Sequence, residues 1–130
     1  MRLGYGYIGP KRVANAIAAA ANIVSRVERA MVSEMRIELR EVNKRTPKDR
    51  GYLEESNRIE GPERSGRSIR VYIRSGDERA WYALYVHEDL EAFHAIGQAK
   101  YLESVLFESA PYIMARIAAR ARLGGSDGAA

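Results

Sequence analysis

From Lys11 to about Lys44 the chain carries an apolar stripe of Val13, Ile17, Ala20, Val24, Val27, Met31, Met35, Leu39 and Val42. Every step in it is three or four residues, the period of one helix face, and neither Gly nor Pro interrupts it. A helix of that span is about 50 Å long at 1.5 Å per residue. A compact domain of this size has a radius of gyration of only about 14 Å. The helix is therefore expected to overhang its own domain, a break midway being the alternative. Its first half, Ala14 to Ala21, is rich in alanine, so another backbone can approach closely, which favours packing by a neighbouring subunit.

The helix has readable ends. Gly9 and Pro10 suit the N-cap and the first helical position, because proline's fixed φ fits the first turn and its missing N–H costs nothing there. Thr46-Pro47 ends the helix, since the residue before proline avoids the α region. Residues 1–10, in which Gly4, Gly6 and Gly9 preclude a stable element, are expected to be either disordered or an N-terminal arm held by a neighbour through Tyr5 and Tyr7. The arm matches G-x-G-x-x-G formally, but no strand precedes it to aim the turn, so a dinucleotide site is not expected.

After the helix comes a polar stretch, residues 46–66, punctuated by Gly51, Gly61, Pro62 and Gly66. Gly51–Ser56 is expected as a single helical turn, Ser56–Glu60 as a short strand and Gly61–Gly66 as an exposed turn. Ser68–Arg74 alternates, with Ile69, Val71 and Ile73 on one face and Arg70, Tyr72 and Arg74 on the other, a half-buried strand with a basic outer face. Ala80–His87 is expected as a second, more buried strand. From Gly97 the helical period returns through Leu102, Leu106, Ile113 and Ile117, with Pro111 splitting it into pieces near 98–109 and 111–122. Residues 124–130, GSDGAA preceded by a further Gly, form a tail. The prediction is one α+β domain over residues 11–123, a long N-terminal and a C-terminal helix packed on a small antiparallel sheet.

Composition excludes more than it selects. The 130 residues suit one domain, and 46% apolar with 29% charged residues is ordinary for a globular chain. No run approaches the length of a membrane-spanning helix, no secretory leader is expected, and without cysteine there is no thiol chemistry. A net charge of +4 and a pI near 9.5 are a modest basic bias, compatible with nucleic acid or an acidic protein partner.

Catalytic signals are weak. His87-Glu88-Asp89 with His94 comes nearest to metal or acid–base chemistry, but a zinc helix needs two histidines four apart, and these are seven apart across a loop. A structural or surface role is expected for both. Glu54 and Glu55 are adjacent and diverge, and no serine has a nucleophile-elbow context. No catalytic residue, metal or cofactor is predicted. Arg67, Arg70 and Arg74 around Tyr72 form the face on which nucleic acid would bind, the phosphates on arginine and a base on the tyrosine.

Three segments carry a resemblance: Thr46-Pro47-Lys48-Asp49-Arg50-Gly51-Tyr52-Leu53, then Tyr82–Glu88 (YALYVHE), then Gly97–Glu103 (GQAKYLE). In that order they resemble the small head–tail joining, tail-completion or neck proteins of tailed bacteriophages, over about residues 11–122. The chain departs from that pattern at Asp49-Arg50-Gly51, where the family has an acidic residue, Thr and Gly. The resemblance implies a non-enzymatic virion protein at the head–tail junction, made in the bacterial host cytoplasm. It implies a ring of identical subunits, six- or twelve-fold, meeting the connector or adaptor on one side and the tail-tube or tail-terminator proteins on the other, with no membrane. Interface positions are expected at Tyr5, Tyr7, Ile17, Val24, Thr46, Asp49, Gly51, Leu53, Arg64, Arg70, Tyr72, Arg74 and His87. A nucleic-acid-binding accessory protein and a metal-dependent hydrolase are the competing readings.

Overall fold

The computed structural model describes residues 9–48, 50–91, 94 and 96–123. Six elements follow in order: α1 (Pro10–Arg45), α2 (Tyr52–Ser56), β1 (Arg58–Ser65), β2 (Ser68–Arg74), α3 (Ala83–Glu88) and α4 (Tyr101–Arg122). Two long helices pack with a two-stranded antiparallel sheet, so the class is α+β as the sequence predicts. The arm through residue 8 and the tail from residue 124 lie outside the described residues.

Helix α1 starts with Gly9 extended and Pro10 in the first turn. It stops at Thr46, whose N–H and Oγ1 both donate to the Val42 carbonyl, at 2.9 and 2.7 Å. Lys44 and Arg45 in the last turn face the negative end of the helix dipole. The buried face is not centred where the apolar stripe puts it. Ala30, Ser33, Glu34, Glu38 and Val42 are buried, while Met31, Met35 and Leu39 flank them half-buried. Two carboxylates can occupy a helix interface because α4 brings arginines to them: Arg116 Nη1 lies 3.2 Å from Glu34 and 3.6 Å from Glu38, and Arg120 also pairs with Glu34. Buried charge is tolerated when paired in this way.

The sheet is a hairpin, with Ile59 opposite Ile73 and Ser65 opposite Ser68. Its first strand is longer than the sequence reading allowed, running through Gly61 and Pro62 to Ser65. A bulge between Glu60 and Glu63 accommodates the proline, which has no N–H to give to the ladder. The exposed turn shrinks to Gly66-Arg67, with Gly66 at φ 57°. Arg64 near the hairpin tip pairs with Glu28, so the hairpin lies along the middle of α1.

Ala80–His87 is not a strand. Asp77 Oδ1 accepts the N–H groups of Arg79 and Ala80, both at 2.9 Å, and the chain winds into α3. The segment is apolar at nearly every position, so it satisfies both periods, and a short run of this kind cannot be assigned by pattern alone. Tertiary packing decides it: Ala83 is buried, with Tyr82, Val86 and His87 half-buried on the helix face towards the core, while Leu84 and Tyr85 face out.

Helix α4 is also continuous where two pieces were expected. Pro111 cannot donate to the carbonyl four residues back, at Phe107, but both residues are exposed, so water reaches the freed carbonyl. Val105 and Ile117 are buried on either side of the proline and hold both halves of the helix in place.

The core sits at the C-terminal end of α1, where Val42, Leu53, Ala80, Ala83, Tyr101 and Val105 meet. Tyr101 is fully buried; its hydroxyl is 2.7 Å from Ser75 Oγ, and burial raises its pKa. The loop after α1 is tied to the connector before α4 by Gln98 N–H to Arg45 O (2.9 Å) and Lys48 N–H to Ile96 O (3.3 Å). Between them Gly97, at φ 93°, is pressed onto Thr46-Pro47 so closely that a Cβ would lie 2.5 Å from the Pro47 nitrogen. Two of the sequence segments that carry the resemblance therefore meet in space.

Candidate interaction surfaces

The sequence-predicted interface residues divide by burial. Thr46 and Leu53 are inside the chain, which corrects their expected place at an interface. Leu53 belongs to the core. Thr46 Oγ1 accepts from Asn57 Nδ2 at 2.8 Å, and the same amide donates to Asn43 Oδ1 at 3.0 Å, tying the end of α1 to the start of β1. Gly51 sits at φ 83° with open space around it, starting α2. Tyr5, Tyr7 and Asp49 lie outside the described residues.

On the hairpin, the basic face is partly spoken for. Arg74 pairs with Glu60 and lies 4.9 Å over the Tyr72 ring, and Arg64 pairs with Glu28. Hydrogen bonding between Arg64 and Glu28 lowers the carboxyl's pKa and raises the guanidinium's. Arg67 and Arg70 stand exposed. A tyrosine already covered by an intramolecular arginine offers less to a nucleobase.

His87 takes part in a cluster that the sequence reading did not assemble. Its Nε2 accepts the Glu103 N–H at 3.3 Å, so in the neutral ring the proton is on Nδ1, 2.8 Å from Glu88 Oε1. Atoms of His87, Glu88 and Glu103 able to hold a metal lie within 4.8 Å of one another. Their cation is built in: Lys100 pairs with Glu88 and lies 3.2 Å from Glu103. Hydrogen bonding from Lys100, then from His87, lowers the Glu88 pKa, and Glu88 in turn raises that of Lys100. A metal would have to displace an ammonium and break both histidine bonds. The chemistry is that of a pinned junction between α3 and α4, with the His87 ring edge-on to Tyr101 at 5.0 Å. His94, the other histidine considered, is not part of it.

Among the described residues α4 exposes Phe107, Tyr112 and Met114, and two further apolar surfaces stand out. The first is the N-terminal part of α1, where residues 10–23 are exposed and include Val13, Ile17 and Ile23. Helix α4 ends alongside Ile23, Arg26 and Val27, with Ala121 and Arg122 closing that groove, so the stripe of α1 runs on beyond its cover. Val24 is half-buried at that boundary, and Ile17 is 64% exposed beyond it. The second surface is around α3. Trp81, Leu84 and Tyr85 are 72%, 68% and 69% exposed, and the Trp81 ring is set edge-on to those of Tyr82 and Tyr85. This patch was hidden at the sequence level by reading the segment as a strand. Its signal was that Trp81, Leu84 and Tyr85 share helical spacing.

No helix among the described residues is long and apolar enough to cross a membrane. Compared with protein-family models, curated proteins and solved structures, the chain matches none.

Proposed function

We propose that the chain is a structural subunit of the head–tail junction of a tailed bacteriophage, working through protein–protein contacts in a ring. The observation that carries this reading is the uncovered stretch of α1. The fourteen exposed residues 10–23, about 20 Å of helix at 1.5 Å per residue, extend past the fold with an apolar stripe still on them. Such a stripe costs free energy in water and is stabilised by a neighbour that covers it. The order of the Thr-Pro, YALYVHE and GQAKYLE segments supplies the particular class of assembly. The second segment is helical where the resemblance implies a strand, so the likeness rests on the sequence order of the three segments. The reading assigns the chain no reaction; its work is adhesion between subunits and to the rings above and below.

The test is made on particles. Purified virions should contain the chain at a fixed, small copy number, and a host lineage with its gene deleted should accumulate heads and tails that fail to join. Joined, infectious particles made without the chain would sink the reading.

A further inference from the structure

We infer that the exposed aromatic patch around α3 is the seat for the overhanging part of α1 of a second copy of the chain, a head-to-tail contact. This deepens the proposed ring and rests on that reading. Three observations point to this occupant. The first is charge. Residues 10–23 carry Lys11 and Arg12 and no acid, whereas residues 77–91 carry Asp77, Glu78, Glu88, Asp89 and Glu91 against the single base Arg79. Glu88 is already paired with Lys100, but Glu78 and Glu91 are exposed, three residues before Trp81 and one after Leu90.

The second observation is separation. Ala80 and Ala83 share a core with Val42, which places α3 at the C-terminal end of α1. Ile17 lies about 37 Å up the same helix at 1.5 Å per residue. The two surfaces sit at opposite ends of one molecule and cannot meet within it. Complementary patches at opposite ends give a heterologous contact, which closes into a ring when the rotation between copies allows.

The third is shape and composition. Alanines at 14, 16 and 18–21 make the α1 surface slim between Val13, Ile17 and Ile23. The seat offers large rigid side chains, Trp81 and Tyr85, with Leu84 between them. Trp and Tyr are the residues that most often dominate an interface, because they bury much area at little entropy cost. Large side chains on one partner meet small ones on the other.

The absence of cysteine from the sequence makes the contact directly testable. Ile17→Cys and Leu84→Cys fall on exposed positions and leave the core untouched. With a short thiol-to-thiol cross-linker, the double variant should give a ladder of covalent multimers, an equimolar mixture of the single variants only dimers, and each single variant alone none. Separately, Lys11→Glu with Arg12→Glu should weaken self-association by about tenfold or more, and adding Glu78→Lys with Glu91→Lys should restore most of it. Assembly without the ladder, or dimers from one single variant alone, overturns this contact and leaves the ring reading standing. A chain that stays monomeric at every concentration also overturns it, while particle content decides the head–tail reading independently.

Discussion

At the scale of single residues, Gly97 has the least room for a side chain among the described glycines. Its φ of 93° disfavours any side chain, and a Cβ would strike the Pro47 backbone rather than a movable side chain. Gly97→Ala should therefore destabilise the fold by about 2 kcal/mol or more, read as a lower urea midpoint. Glu38 is a different kind of residue. Burial, the largest influence, and the nearby Glu34 raise its pKa against the pull of Ser109 and Arg116. A carboxyl with a higher pKa folded than unfolded stabilises most below its ordinary value of 4.5, and that contribution is lost as pH rises through the raised value. The thermal midpoint of Glu38→Gln relative to the parent should accordingly improve as pH rises above the ordinary value of 4.5. A difference that stays flat or shrinks would contradict this. Glu34 and Glu38 were not legible as interface residues, because an acidic side chain on a long helix reads as solvated. Their signal was reciprocal spacing: two acids four apart on α1 and two arginines four apart, Arg116 and Arg120, on α4.

At the scale of elements, the long period of α1 and the alternation of β2 were legible because each pattern admits one structure. Residues 80–87 admitted two, and packing of Ala83 against Gly76, whose own Cβ would lie 3.0 Å from that of Ala83, selects the helix. Pro111 misled in the opposite direction. The local rule that proline breaks a helix is outweighed by apolar anchors at Val105 and Ile117. If that account holds, Pro111→Ala restores a backbone bond without disturbing packing, and the protein gains about 2 kcal/mol in urea unfolding, most of the intrinsic penalty of proline in a helix. A loss of stability would mean that the proline shapes the helix for packing.

For the whole molecule, the α+β class followed from the order of helical and alternating patterns, and the overhang from one length comparison, that of a helix against the domain it belongs to. The surfaces did not, because which apolar residues stay uncovered depends on where α4 ends. Ion pairs distribute stability unevenly with pH. Glu28, Glu88 and Glu108 all have lowered pKa values, held by Arg64, Lys100 and Arg45 respectively. Groups of this kind stabilise above the ordinary carboxylate value of 4.5 and lose that contribution as pH falls through their lowered values. Thermal unfolding should show the midpoint falling on acidification below that value, and less so in high salt, because these pairs are exposed and screened. An acid response indifferent to salt would point instead to buried groups.

The bonds joining Arg45 to Gln98 and Lys48 to Ile96 clasp together the two ends of the stretch that carries the hairpin. Its far end, the Gly66-Arg67 turn, can be lengthened without altering how the two long helices meet. That turn is a natural graft point: a short epitope or fluorophore tag inserted there should report on the chain in place while the remainder folds as before.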